Sequence, residues 1–237
     1  MRLQSFIWPD NLPHNLKCQC GQSVTPTHLL NCNRFIAFRS KVHDSVRNQL
    51  YCMCKSNGIV SFLEPVLAGL VDDTDVNKSF GNSRGDVIFP GFDGSFIIAD
   101  VMSIDVCNGS NKKLAKSKAK NPLLIGEKFK KEKYCAKLKL LNSASHSNYL
   151  LYPFVFSLYG SLGESATSLI KIFVKIVKEK TSRTFDLRFW KSRTVFAIFR
   201  GMMTSVSSAL LSLGRHYEDK VGENFQIGNL DFEDIDY

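Results

Sequence analysis

Apolar and polar positions alternate in two distinct rhythms along this chain. At its centre, Arg84–Phe89 and Ser95–Asp105 are short runs rich in β-branched and aromatic residues, and Pro90-Gly91-Phe92-Asp93-Gly94 between them carries turn signals. These predict a β-hairpin. Around it the rhythm becomes helical. Phe35, Ile36, Phe38, Val42, Val46, Leu50 and Met53 recur on one side of a helix over 33–56, with Arg34, Arg39, Lys41 and Arg47 on the other. Pro122 suits a helix start, and 122–141 follows the same period. Tyr149–Tyr159 is an apolar run ended by Gly160, fitting a buried strand of the same sheet. Residues 161–180 place Leu169, Ile172, Phe173, Ile176 and Val177 inward and Lys171, Lys175 and Lys178 outward. That helix suits a cover for the sheet better than a membrane-surface element. One or two further helices are expected over 185–216.

The predicted fold class is therefore α/β (α+β): a small mixed sheet flanked by helices, with a metal-stapled segment before it and helices after it. The expected organisation is 1–35 for the lead-in and a zinc knuckle, 36–180 for the sheet domain, 181–216 for basic helices and 217–237 for an acidic tail. An apolar share of 44% with 22% charged residues is that of a core-forming protein. No secretory signal is visible at the N-terminus, and no run reaches the roughly 18 apolar residues of a membrane span.

Two acids interrupt the hairpin's apolar strands, Asp86 and Asp100. A buried carboxylate without a partner is costly, so each needs a cation, a donor or a role. Paired residues of a β-ladder share a constant sum, so the two acids oppose each other only if the turn centres on Asp93, with an odd-length loop or a bulge. In that register they can share a hard cation such as Mg²⁺. The plainer alternative is a pair of salt-bridged acids at strand ends.

Charge adds a partner class. The net charge is +9, and residues 1–216 carry 30 basic against 15 acidic residues, because seven acids crowd the last 21 positions beside Lys220 alone. A body so basic favours a polyanion: DNA, with RNA as the other nucleic-acid candidate. Lys112, Lys113, Lys116, Lys118 and Lys120 form a cationic segment after the hairpin that suits a phosphate backbone, or is simply a solvated loop. On the next helix Lys130, Tyr134, Lys137 and Leu141 form one row with Lys133 alongside.

Before all this, Cys18-Gln19-Cys20-Gly21, His28 and Cys32 place four ligand-type side chains within fifteen residues, as tetrahedral Zn²⁺ requires. Gly21 permits the tight turn, and His28 and Cys32 stand one helical turn apart. The alternative is ordinary buried cysteines. Seven cysteines in all, an odd number, fit reduced thiols and metal ligation in the cytosol or nucleus better than a disulfide framework.

The order of these pieces resembles a known family. The Cys-x-Cys…His…Cys knuckle precedes Arg39-Ser40-Lys41-Val42-His43-Asp44-Ser45-Val46, then Glu64-Pro65, Arg84-Gly85-Asp86, Ala99-Asp100-Val101 and Lys130-x-x-Lys133-Tyr134. This looks like the C-terminal restriction-like endonuclease module, of the PD-(D/E)XK type, in non-LTR retrotransposon polyproteins. The resemblance covers most of 18–215. It implies a restriction-endonuclease-like core in which Asp86 and Asp100 hold Mg²⁺ or Mn²⁺, with Glu64 contributing from a helix before the sheet. It implies Lys130 or Lys133 as the catalytic lysine, Tyr134 positioning nearby, a structural Zn²⁺ in the knuckle, and Arg39, Lys112, Lys113, Lys116 and Lys137 gripping DNA. Two departures bear on activity: Gly85 stands where the family has proline, and Met102 where the wider superfamily has lysine. A DNA-binding remnant without catalysis and a zinc-stapled protein-interaction domain are the competing readings.

Overall fold

The computed structural model describes residues 16–70, 80, 82–106, 121–145, 147–182 and 186–221. Helix α1 (Pro26–Asn31) is followed by a 3-10 turn, Asn33–Phe35, and by α2 (Ile36–Ser56); then come β1 (Phe62–Leu63), β2 (Val87–Pro90), β3 (Phe96–Ile104), α3 (Pro122–Ala144), β4 (Tyr149–Ser157), α4 (Glu164–Thr181) and α5 (Leu187–Val221). The chain forms two compact units, one of residues 1–42 with 200–237 and one of His43–Phe199. The divisions fall inside α2 and α5.

In the second unit the four strands stand in the order β1-β2-β3-β4. β1 and β2 are antiparallel, as are β2 and β3, while β4 runs parallel to β3. This is the mixed sheet that the sequence predicts. β4 is an edge strand, which tolerates Pro153 in its ladder. Alternation then sorts the side chains into two layers. Ile88, Ile98 and Tyr149 join Tyr134 and Leu141 of α3 in one core cluster. On the other face Phe89 meets Phe173 of α4 edge-to-face, with ring centroids 6.1 Å apart. Ala166, Leu169, Ile170, Phe173, Ile176 and Val177 are the buried positions of α4, while Lys171, Lys175 and Lys178 are exposed.

Each helix has its own end signals. Asn121 caps α3, its side chain accepting from Leu123 N at 3.0 Å, and Pro122 opens the helix. Gly163 before α4 offers no capping side chain, and the buried carboxylate of Glu127 does that work. It accepts Ser165 N at 2.9 Å and the Ser165 hydroxyl at 3.0 Å. Gly126 lets α3 lie close on the sheet: a Cβ there would stand 2.7 Å from Ile104 and 3.1 Å from Val155. Met102, from the same strand face, packs at that contact.

One expectation is corrected at the C-terminal end. The segment 185–216 is one helix over its described part, and it continues to Val221, through the first acids of the expected tail. Residues 183–185 and 222–237 lie outside the described residues. Within α5, Leu187–Arg215 is also long and apolar enough to cross a membrane by length and composition, with half of its most apolar window buried in the protein.

Candidate functional site

The hairpin register decides where the two acids lie. Val87 pairs with Ala99, Ile88 with Ile98, Phe89 with Ile97 and Pro90 with Phe96, around a five-residue loop, Gly91–Ser95. Asp93 is its centre, and its carboxylate accepts Ser95 N at 3.2 Å while Gly94 takes the left-handed φ of 77°. Asp86 stands just before β2, where the ladder ends: its N–H donates to Ala99 O at 3.1 Å and its side chain accepts Val101 N, so its contacts fall on both neighbours of Asp100. Asp100, two residues on from Ile98 in β3, belongs to the strand face that Ile98 presents to α3.

Asp100 is 4% exposed. Its Oδ2 meets the Lys130 ammonium, and its Oδ1 lies 3.0 Å from the Tyr134 hydroxyl. That hydroxyl also reaches Arg84 O at 2.8 Å, so its one proton is shared between two acceptors. Burial, then the negative charges of Asp100 and Asp86, push the Tyr134 phenol far above its usual range, which keeps it a donor. Lys130 and Tyr134 are one turn apart on α3, so the helix delivers a cation and a donor to one carboxylate.

Asp86 Oδ2 accepts Val101 N at 2.6 Å and sits 3.2 Å from His43 Nε2. Burial alone would raise the Asp86 pKa. The hydrogen bond and charge of His43, the Val101 N–H and the Lys130 charge outweigh it and hold the carboxyl below its ordinary value. His43 is the reverse case: burial would lower it, but Asp86 and then Asp44 raise it on balance. His43 Nδ1 lies 3.2 Å from Asp44, whose carboxylate also meets Arg47 at 3.1 Å.

These shifts predict a pH dependence of stability. The raised His43 pKa gives stabilisation that is complete below its unfolded value of about 6.5 and is lost as pH rises through the folded value. The depressed Asp86 pKa gives stabilisation present above about 3.8 and lost as pH falls through the folded value. The urea midpoint of the wild type, minus that of His43→Gln, is expected to shrink from pH 6 toward the alkaline side. A constant difference across that range contradicts the His43–Asp86 pairing.

Of the residues expected at the site, Asp86, Asp100, Lys130 and Tyr134 come together. Lys133 is exposed, with its ammonium 5.2 Å from the Tyr134 ring centroid, over the ring rather than at either acid. Lys137 donates to the Ser83 hydroxyl beside the site. Glu64 differs from expectation. It follows β1 and has a left-handed φ of 48°, so no helix presents it. Its N–H donates to Asp86 O at 2.9 Å, but its carboxylate pairs with Arg47. Arg39 lies in α2 with its side chain outside the described residues, and Lys112, Lys113 and Lys116 lie outside them altogether. His43 and Arg47 had no assigned role. Their signal was the i, i+4 spacing of two polar residues beside the buried Val42 and Val46 row.

The two sequence departures have local reasons. Gly85 donates its N–H to Pro65 O at 3.3 Å, which a proline cannot do, and a Cβ there would stand 2.8 Å from Ile98. Met102 fills the Gly126 contact, and one helical turn further along α3 Lys130 reaches Asp100.

In the first unit, Cys18, Cys20, His28 and Cys32 form a group that can hold a metal ion, their ligand atoms all within 4.8 Å of one another. Cys18 N donates to Gln22 O and Gly21 N to Cys18 O, both at 2.8 Å, and Gly21 has φ 86°. Thr25 caps α1 by accepting His28 N at 3.0 Å, and Cys32 N closes that helix on His28 O at 2.7 Å. Cys18 Sγ is 3.8 Å from Cys32 Sγ, and Cys20 Sγ is 3.4 Å from His28 Nε2. Burial pushes the Cys18 thiol up to about 11 and lowers the His28 pKa, favouring neutral imidazole.

No family model and no curated protein matches this chain. The functional reading therefore rests on the chemistry of these two groups of side chains.

Proposed function

We propose that this protein is a metal-dependent DNA endonuclease of the restriction-like, retroelement-derived kind, working with a structural zinc knuckle in the nucleus or cytosol. The observation that carries the reading is that Lys130 of α3 meets Asp100 and bears electrostatically on Asp86 at the same end of the hairpin. The donors suit a hard divalent cation, since both carboxylates offer oxygen and Asp86 is held ionised. Asp86 and Asp100 would hold Mg²⁺ or Mn²⁺. When bound, such an ion polarises a phosphodiester and lowers the pKa of coordinated water.

The chain's own groups supply the rest. Lys130 brings a positive charge to offset what develops on the phosphoryl oxygens. Tyr134 fixes the Asp100 carboxylate through Oδ1, and His43 with Val101 N–H fixes Asp86 through Oδ2. The basic surface would hold DNA chiefly by its backbone.

Zinc is the metal we assign to the knuckle. Three thiols and an imidazole are the donors Zn²⁺ prefers, and Cys18, Cys20, His28 and Cys32 would hold it with their ligand atoms all within 4.8 Å of one another.

A second reading, a nucleic-acid-binding remnant without catalysis, is favoured by one specific feature. Both carboxylates already have cationic partners within the chain, His43 for Asp86 and Lys130 for Asp100. Supercoiled plasmid incubated with the protein and Mg²⁺ or Mn²⁺ separates the two. Nicked or linear product supports the nuclease; plasmid that is retarded in a gel but stays intact supports the remnant.

A further inference from the structure

A second feature of the His43–Phe199 unit lies outside the acid cluster. A cavity of about 340 Å³ opens between α2 and α5, lined by Gln49, Cys52 and Ser56 on one side and Phe189, Trp190 and Arg193 on the other. Its size falls within the usual range of ligand pockets. Trp190 is buried, but Phe189 beside it is 47% exposed. Their rings meet edge-to-face, with centroids 5.0 Å apart, and the Arg193 guanidinium lies 5.9 Å from the Phe189 ring centroid. An exposed aromatic ring held in place by a buried one and by a cation is poorly explained as core packing.

The polar lining narrows the occupant. Among the described residues no acidic side chain lines the cavity, and Gln49 and Ser56 add amide and hydroxyl groups. Arg188 and Lys191 flank Phe189 and Trp190 in sequence, so this end of α5 carries three cations within six positions. An uncharged hydrocarbon would have no use for Arg193. A flat, polar-edged ring joined to an anionic backbone suits the exposed Phe189 ring, the Arg193 guanidinium and the Gln49 and Ser56 side chains.

We propose that this cavity takes one unstacked nucleobase of a single-stranded nucleic acid, with Phe189 as the stacking platform and Arg193 engaging the adjacent phosphate. The proposal rests on the nucleic-acid part of the functional reading and not on cleavage. Single strands are held in this way, by aromatic faces beside a positively charged track. The site would serve a strand end or a locally opened duplex, since a paired base has no free face to offer.

Fluorescence anisotropy of a labelled 12-nucleotide oligodeoxythymidylate, with no divalent cation added, tests it. The control is an abasic oligonucleotide of equal length and charge. Phe189→Ala should weaken binding of the base-bearing strand by about 5- to 10-fold, leave the abasic strand unchanged, and be rescued by Phe189→Trp. Arg193→Ala should weaken both strands. An equal effect of Phe189→Ala on both strands, or on neither, overturns the proposal. Because no cleavage can occur under these conditions, intact plasmid in the nuclease assay would leave this result standing, and the converse also holds.

Discussion

Replacing Lys130 with methionine is expected to lower folding stability by about 3–5 kcal/mol. Asp100 is buried and Lys130 half-buried, with side-chain exposures of 6% and 13%, and the ammonium is the only cation in contact with that carboxylate among the described residues. Without it Asp100 keeps the Tyr134 hydroxyl, whose proton Arg84 O also claims. The cost comes from the charge left behind, more than from the loss of a favourable pair. A double variant, Asp100→Leu with Lys130→Met, should therefore recover much of the loss, because apolar replacements of a buried pair are often neutral or stabilising. Lys133→Met, at an exposed position, should stay within about 0.5 kcal/mol of the wild type. Urea midpoints at unchanged m-value report all three. Equal midpoints for Lys130→Met and Lys133→Met would contradict the buried pairing.

Removing the knuckle's metal has the other large expected effect. Leu16, Val24, Leu29, Leu30 and Phe35 are the main buried apolar residues of that small segment, too few to hold a fold by themselves. Structural zinc contributes about 10–16 kcal/mol of apparent binding free energy in comparable peptides, and that energy is folding energy. Metal analysis should find about one zinc per chain. A Cys18→Ser/Cys20→Ser double variant should lose it, and amide protection over residues 16–35 should collapse. A protein that contains no zinc and still protects those amides would show that packing alone makes the knuckle.

Much of this arrangement was legible in the sequence because it depends on parity and period. The five-residue loop centred on Asp93 is the odd-length turn that the hairpin needs, although the ladder ends at Val87 and Ala99 and Asp86 N bonds Ala99 O. The knuckle was equally readable, since its four ligands lie within fifteen residues and local turns bring them together. The row on α3 was visible, but its meaning was not. Lys130 and Lys133 look alike in sequence, and only the close approach at Gly126 decides which of them reaches the sheet.

The remaining features depend on contacts between distant segments. His43 meets Asp86 across 43 residues, and nothing in the local pattern of α2 gives its partner. Glu64 was expected to offer its carboxylate from a helix, but a two-residue strand and a left-handed turn direct it to Arg47. Glu127 reads as an ordinary helix-surface acid, although it caps α4 across 38 residues. The continuation of α5 past His216 went against the charge pattern. Glu218 and Asp219 suggested a loose tail, and helical propagation carried the chain through them.

The central claim is that two carboxylates at one end of the hairpin and a helix-borne lysine make a phosphodiesterase centre. The most direct measurement is the nicking rate of supercoiled plasmid with Mg²⁺ by the wild type, Asp86→Asn and Lys133→Met side by side. The account predicts that the wild type and Lys133→Met nick at similar rates, while Asp86→Asn falls by at least about 100-fold. Intact plasmid with the wild type, or undiminished nicking by Asp86→Asn, would contradict it.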